Sequence, residues 1–125
     1  MTDEQAFDIR WLPDLEDHDY PAAASYLSLL YRADRVAQMI TELKAAAIVQ
    51  FKAKDLLRAS QLSPLGVSNS HVEKDRKKIR DGSGLSPLLL VRDEPHGKVL
   101  IADGYHRLCA VYEFDEDAWI PCKIL

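Results

Sequence analysis

The chain has 125 residues, with 16 Lys and Arg against 20 Asp and Glu and a formal net charge of −4. That length fits one domain with a real hydrophobic core, and 47% hydrophobic with 29% charged residues is the balance of an ordinary globular protein. The acidic balance disfavours a nonspecific nucleic-acid binder, which captures the phosphate backbone with a basic excess, and no apolar run approaches the ~20 residues that span a bilayer. The start Met1-Thr2-Asp3-Glu4-Gln5 lacks the pattern of a signal peptide. A cytoplasmic protein with Cys109 and Cys122 as free thiols is therefore expected, with no membrane partner.

Residues 1–19 are mixed and acidic, with Trp11 and Leu12 as apolar anchors before Pro13. They predict a mostly irregular arm docked on the core. Pro21 suits a first helical turn, where its missing N–H costs nothing, and the helix it opens runs through Ala22, Tyr26, Leu27 and Leu30. Asp34 is the expected N-cap of a second helix carrying Val36, Ile40 and Leu43 at helical spacing. These two helices either cover a sheet within one chain or form a homodimer face.

Ile48 to Ala53 is β-rich and predicts a strand, and Lys54 to Ala59 a short helix. Gln61 to Asn69, with Pro64 and Gly66, is a loop. Ser70-His71-Val72-Glu73 has the form of a capping box, and its helix ends at Asp81-Gly82. Leu88 to Arg92 and Lys98 to Ala102 flank a polar turn and predict a hairpin. Leu108, Val111 and Tyr112 lie on one stripe of the next helix, and Trp119 to Leu125 forms a last strand.

The chemistry concentrates in Asp103-Gly104-Tyr105-His106-Arg107, where a strand turns into a helix. A helix start presents unpaired N–H groups and a positive dipole end, so it attracts anions. Gly104 permits close backbone approach, and Arg107 offers a planar fork suited to phosphate. Against this stands a structural reading in which Arg107 pairs with Asp103 or another acid and His106 packs on the sheet. Asp103 is equally an N-cap, a Mg²⁺ ligand, or a base for a hydroxyl substrate. Lys52 and Lys54 end the first strand and either reach the phosphates or are simply solvated. His71, Lys74 and Lys78 share one helix face; they rim the site, serve with Lys77 as a partner or nucleic-acid surface, or stay solvated beside Glu73 and Asp75. A zinc site on His106 and Cys109 lacks further ligands.

The hairpin, the Asp103-to-Arg107 turn, the helix after it and the closing strand Ile120-Pro121-Cys122-Lys123-Ile124 together resemble the ParB/sulfiredoxin-like superfamily. Leu85-Ser86-Pro87-Leu88-Leu89-Leu90-Val91 is similar to the Pro-containing segment that leads into the hairpin of ParB proteins. The resemblance covers residues 48–125, about two thirds of the chain. It implies an α+β domain with a mixed sheet and short helices, preceded by two N-terminal packing helices within residues 1–47.

Within this superfamily the Gly-x-His-Arg element binds phosphate, which implies Gly104, Tyr105, His106 and Arg107, with Lys52 and Lys54, as a nucleotide site. The catalytic residues implied are Asp103 and His106, with Mg²⁺ and a nucleoside triphosphate as cofactors. Sulfiredoxins carry a catalytic Cys between the Gly and the His. Tyr105 stands there in this chain, which argues against sulfinic-acid repair. No helix-turn-helix pattern follows the last strand, so a site-specific DNA reader is not expected. Free-serine kinases of the superfamily carry Asp-Gly-His-His-Arg, one substitution away from Asp103 to Arg107. Slow nucleotide hydrolysis or phosphoryl transfer is the expected activity, and a noncatalytic nucleic-acid- or protein-binding module is the alternative.

Overall fold

Leu88-Leu89-Leu90-Val91 is apolar without alternation, which for a strand means that both of its faces are buried. The computed structural model describes residues 8–66 and 68–125 and bears this out. Among them are five α-helices and a four-stranded mixed sheet, an α+β architecture. The helices are α1 (Asp19–Leu27), α2 (Ala33–Ala45), α3 (Ala53–Ser60), α4 (Ser70–Asp81) and α5 (Tyr105–Phe114). The strands are β1 (Val49–Lys52), β2 (Leu88–Asp93), β3 (Lys98–Asp103) and β4 (Trp119–Ile124). A 3-10 turn at Glu94–His96 joins β2 to β3.

Strand order is β1-β4-β2-β3. β4 pairs antiparallel with β1, Val49 opposite Cys122, and parallel with β2, Leu88 opposite Cys122. β2 and β3 form the expected antiparallel hairpin, with Leu90 opposite Ile101. Leu89, Val91, Leu100 and Ala102 face α1 and α2, meeting Tyr20, Ala23, Leu27, Val36, Met39 and Leu43. Leu88, Leu90, Val99, Ile101 and Ile120 face α3, α4 and α5 on the other side. The N-terminal helices thus spend their apolar faces on the sheet of their own chain.

Several element boundaries differ from those expected. α1 starts at Asp19, before Pro21, and stops at Leu27; Leu29, 82% exposed, and Leu30 lie beyond its end, off the core. The N-cap position of α2 is Arg32, whose carbonyl accepts from Val36 N–H at 2.9 Å, so Asp34 sits inside the first turn. Asn69, not Ser70, caps α4: its Oδ1 accepts from the N–H groups of His71 and Val72 at 3.0 and 3.2 Å. An amide oxygen one residue earlier satisfies both orphan donors. Ala53 leaves β1 and opens α3, its N–H held by the Ala118 carbonyl at 2.9 Å.

The first seven residues of the arm lie outside the described residues. The rest docks as expected: Leu12 N–H donates to Leu85 O at 2.8 Å, Leu85 N–H to Arg10 O at 2.9 Å, and Trp11 packs on the core. No helix of the described residues is long and apolar enough to cross a membrane.

Candidate functional site

Leu90 pairs with Ile101 and Leu89 with Asp103, so Ala102 is an extra residue in the ladder. A bulge of this kind bends a strand and re-aims the backbone beyond it. Here it redirects Asp103, then Gly104 at φ +110°, and so the entry into α5. A Cβ on Gly104 would come within 2.7 Å of Leu88 Cγ and 3.0 Å of Arg107 Nη2, so glycine serves both conformation and space. No side chain caps α5, so its first N–H groups have no side-chain partner.

α4 packs along α5 and brings His71, Lys74, Asp75 and Lys78 opposite this helix start. With Asp103, Gly104, His106 and Arg107 they line a polar cleft of about 200 Å³. The basic residues of α4 divide. Arg76 and Arg80 turn to Glu73, and Arg76 also to Glu113 at 2.6 Å. Lys74 and Lys78 turn to the cleft, where Asp75 is the acid that faces them. Glu73, expected to balance these lysines, is instead occupied by the two arginines. Lys74, Lys78 and Arg107 against Asp75 and Asp103 leave the lining one positive charge in excess when both imidazoles are neutral.

Arg107 is held from behind. Its Nη2 lies 2.9 Å from Asp103 Oδ2, 3.0 Å from the Pro87 carbonyl and 4.0 Å from Asp19 Oδ1. The structural pairing of Arg107 with Asp103 is therefore realised, and Asp103 is not a side-chain cap of α5. Asp19 is only 2% exposed, and its Oδ2 accepts from Glu16 N–H at 2.8 Å and from the Ser86 hydroxyl. Burial raises the Asp103 carboxyl above its ordinary pKa; Arg107 pulls it back, and the neighbouring Asp19 adds to the rise. Arg107 Nε is buried and has no partner among the described residues.

His106 lies against His71, ring centroids 4.9 Å apart and the planes tilted by 38°. Burial lowers its pKa, His71 and Arg107 lower it further, and Asp75 opposes them. Asp75 is itself raised by burial, against the pull of Lys78, Arg107, His106 and Lys74. Tyr105 contributes its backbone to the helix start, while its hydroxyl donates to the Ser63 carbonyl.

Lys52 and Lys54 are not brought to this cleft. Both turn to Asp117, at 4.0 and 2.7 Å, and Lys52 also lies over the Trp119 ring. β1 and β3 are opposite edges of the sheet, three strand spacings or about 14 Å apart. Lys77 is exposed and outside the cleft lining.

For a metal, Asp103 already gives Oδ2 to Arg107. Glu16, His18 and Asp19 offer ligand atoms within 4.8 Å of one another just behind it. Cys109 is buried, its Sγ accepting from Leu65 N–H at 3.3 Å. Cys122 is a buried free thiol that burial pushes up to about 12.

Asp19, Ser86 and Asp75 are site residues that sequence reasoning does not reach. For Asp75 a signal exists, since it lies four residues after His71 and three before Lys78, on the same face of α4. Neither family models, nor curated proteins, nor solved structures give a match to this chain.

Proposed function

We propose that this cleft binds the phosphate groups of a nucleoside triphosphate or related phosphorylated ligand, in a small ParB/sulfiredoxin-like domain. The observation that carries the reading is convergence. Lys74 and Lys78 from α4, Arg107 and the uncapped start of α5 all face one polar cleft. Charged donors and helix-start amides together make an anion site stronger than either alone. Arg107 enters it already oriented by Asp103 and Pro87, so little side-chain freedom is lost on binding.

Turnover, where it occurs, is slow hydrolysis or phosphoryl transfer driven by positioning and charge neutralisation. Asp103, with its raised pKa, is suited to accept a proton from an incoming hydroxyl or water. His106, held neutral, is the second group able to exchange a proton at the phosphates. Mg²⁺ bound with the phosphates would spread their charge; where Asp103 holds it, His106 is the group left to exchange a proton.

The experiment is an amide-shift titration of labelled protein with CTP, ATP and GTP in the presence of Mg²⁺. Saturable shifts at Gly104 to Leu108 and at His71 to Lys78 are expected. A protein whose amides in both segments stay still with every nucleotide does not have this function. Salt-sensitive binding of DNA or RNA that survives Arg107→Ala but is lost when Lys74, Lys77 and Lys78 are replaced would favour the accessory-module alternative.

A further inference from the structure

Resting on that reading, the dimensions of the cleft bear on what part of the ligand it recognises. Its volume of about 200 Å³ is below the ~300–1,000 Å³ of pockets that enclose drug-sized ligands. Its walls are charged groups, imidazoles and backbone, and the two imidazoles lie against each other at a tilt of 38°. The larger apolar groove, about 360 Å³ with Phe51, Leu56, Val99 and Ile124, opens at the other end of β3. From Lys98 to Asp103 that strand covers about 17 Å. A nucleotide whose phosphates occupy the cleft would have to be fully extended along the strand to place its base in that groove.

The cleft is also longer than one phosphate. His71 and Lys78 are seven residues apart on α4, a rise of about 10 Å, and Lys74 stands between them. Along that line the cations are Lys74 and Lys78, about 6 Å of helix rise apart, with Arg107 and the start of α5 facing them. A single phosphate touches one part of that line, whereas a chain of linked phosphates follows it.

We infer that the site recognises a linear polyphosphate moiety as such, with whatever is esterified to it left in solvent, so that the ligand class is polyphosphate rather than a particular nucleotide. Specificity then lies in the number of linked phosphates. The base contributes no discrimination.

The test is calorimetric titration of the whole chain, with Mg²⁺, using inorganic tripolyphosphate, pyrophosphate, phosphate, ATP, CTP and GTP. Tripolyphosphate and the three nucleotides are expected to bind within about threefold of one another, and phosphate at least about tenfold more weakly. The Lys74→Ala/Lys78→Ala double variant should weaken tripolyphosphate and ATP alike, by about tenfold or more. Both positions are on the helix surface, and a melt of the same sample checks that the variant is folded. One nucleotide binding tenfold tighter than tripolyphosphate overturns the inference and leaves the phosphate site standing. Phosphate binding as tightly as tripolyphosphate also overturns it. Failure of every anion to bind overturns the phosphate reading itself.

Discussion

Gly104→Ala tests the turn on which the site depends, and Gly97→Ala provides its control. At Gly104 the backbone has φ +110°, outside even the left-handed helical region that other residues occasionally visit. A β-carbon there would lie 2.7 Å from Leu88 Cγ, 3.1 Å from Leu88 Cδ1 and 3.0 Å from Arg107 Nη2. Leu88 is fully buried between strand and helix and has no free space to retreat into. The backbone conformation costs about 1–2 kcal/mol and the overpacking about 1–3, together about 2–5 kcal/mol. At Gly97, φ is +63° and nothing lies within 4 Å of the added carbon, so only the backbone cost of about 1 kcal/mol remains. At about 4 °C per kcal/mol for a domain of this size, Gly104→Ala should melt roughly 8–20 °C below the parent and Gly97→Ala about 4 °C below. Urea and thermal melts of the three proteins measure both. Equal losses for the two variants would refute the close approach of Leu88 and Arg107 to the turn.

Arg107→Met leaves Asp103 and Asp19 beside each other without their cation, which should cost about 3 kcal/mol at pH 7. Because Asp103 already has a raised pKa and loses the opposing pull of Arg107, it takes up a proton early on acidification, so this deficit should shrink between pH 7 and 5. A deficit independent of pH in urea melts would argue against the shared acidic cluster. His106 is held below the ordinary imidazole value of about 6.5, so as pH falls through 6.5 the unfolded chain binds this proton before the folded one. Its contribution to stability should therefore be lost over that interval, while tripolyphosphate affinity rises once the folded imidazole charges. An NMR titration placing the His106 midpoint above 6.5 would reverse the sign of the stability change. Asn69→Ala removes the cap of α4 and should cost about 1 kcal/mol, whereas Ser70→Ala should leave the melt unchanged; the opposite ranking would restore the capping box.

The parts of this fold that can be read from sequence are those whose causes are local. The β2–β3 hairpin comes from two apolar runs around a polar turn, and the strand–glycine–helix junction at Asp103 to Arg107 is written in consecutive residues. Asp19 is the contrary case. In sequence it is one more acid at the end of an acidic arm, and its burial depends on Ser86, 67 residues away, and on Arg107 beyond that. Lys52 ends β1 and Lys54 lies in the first turn of α3, but Asp117, which turns them away from the cleft, comes from the turn just before β4. Lys74 and Lys78 share a helix face by their spacing alone. That this face meets the start of α5 is a matter of helix packing, which no spacing rule supplies. The helix caps differ for a smaller reason: at both α2 and α4 two polar residues compete within a turn, and the choice between them is set by how the chain enters the helix.

The position of β4 between β1 and β2 also sets an order of assembly. The hairpin of β2 and β3 closes between Asp93 and Lys98 and needs nothing else to begin. β1 has no hydrogen-bonded neighbour in the sheet until β4 arrives, since Lys52 meets Trp119 and Val49 meets Cys122. That closure spans about 70 residues and carries the larger loss of chain entropy. Pulse-labelled amide exchange should accordingly find β2 and β3 protected before β1. With β4 docked, one strand completes two others and ties down two helices: it supplies the partner of β1, the second neighbour of β2, and through Lys123 the tie to Tyr20 of α1 and the end of α2. The last strand inserted is therefore the keystone of the sheet, and weakening it should loosen both helical layers together.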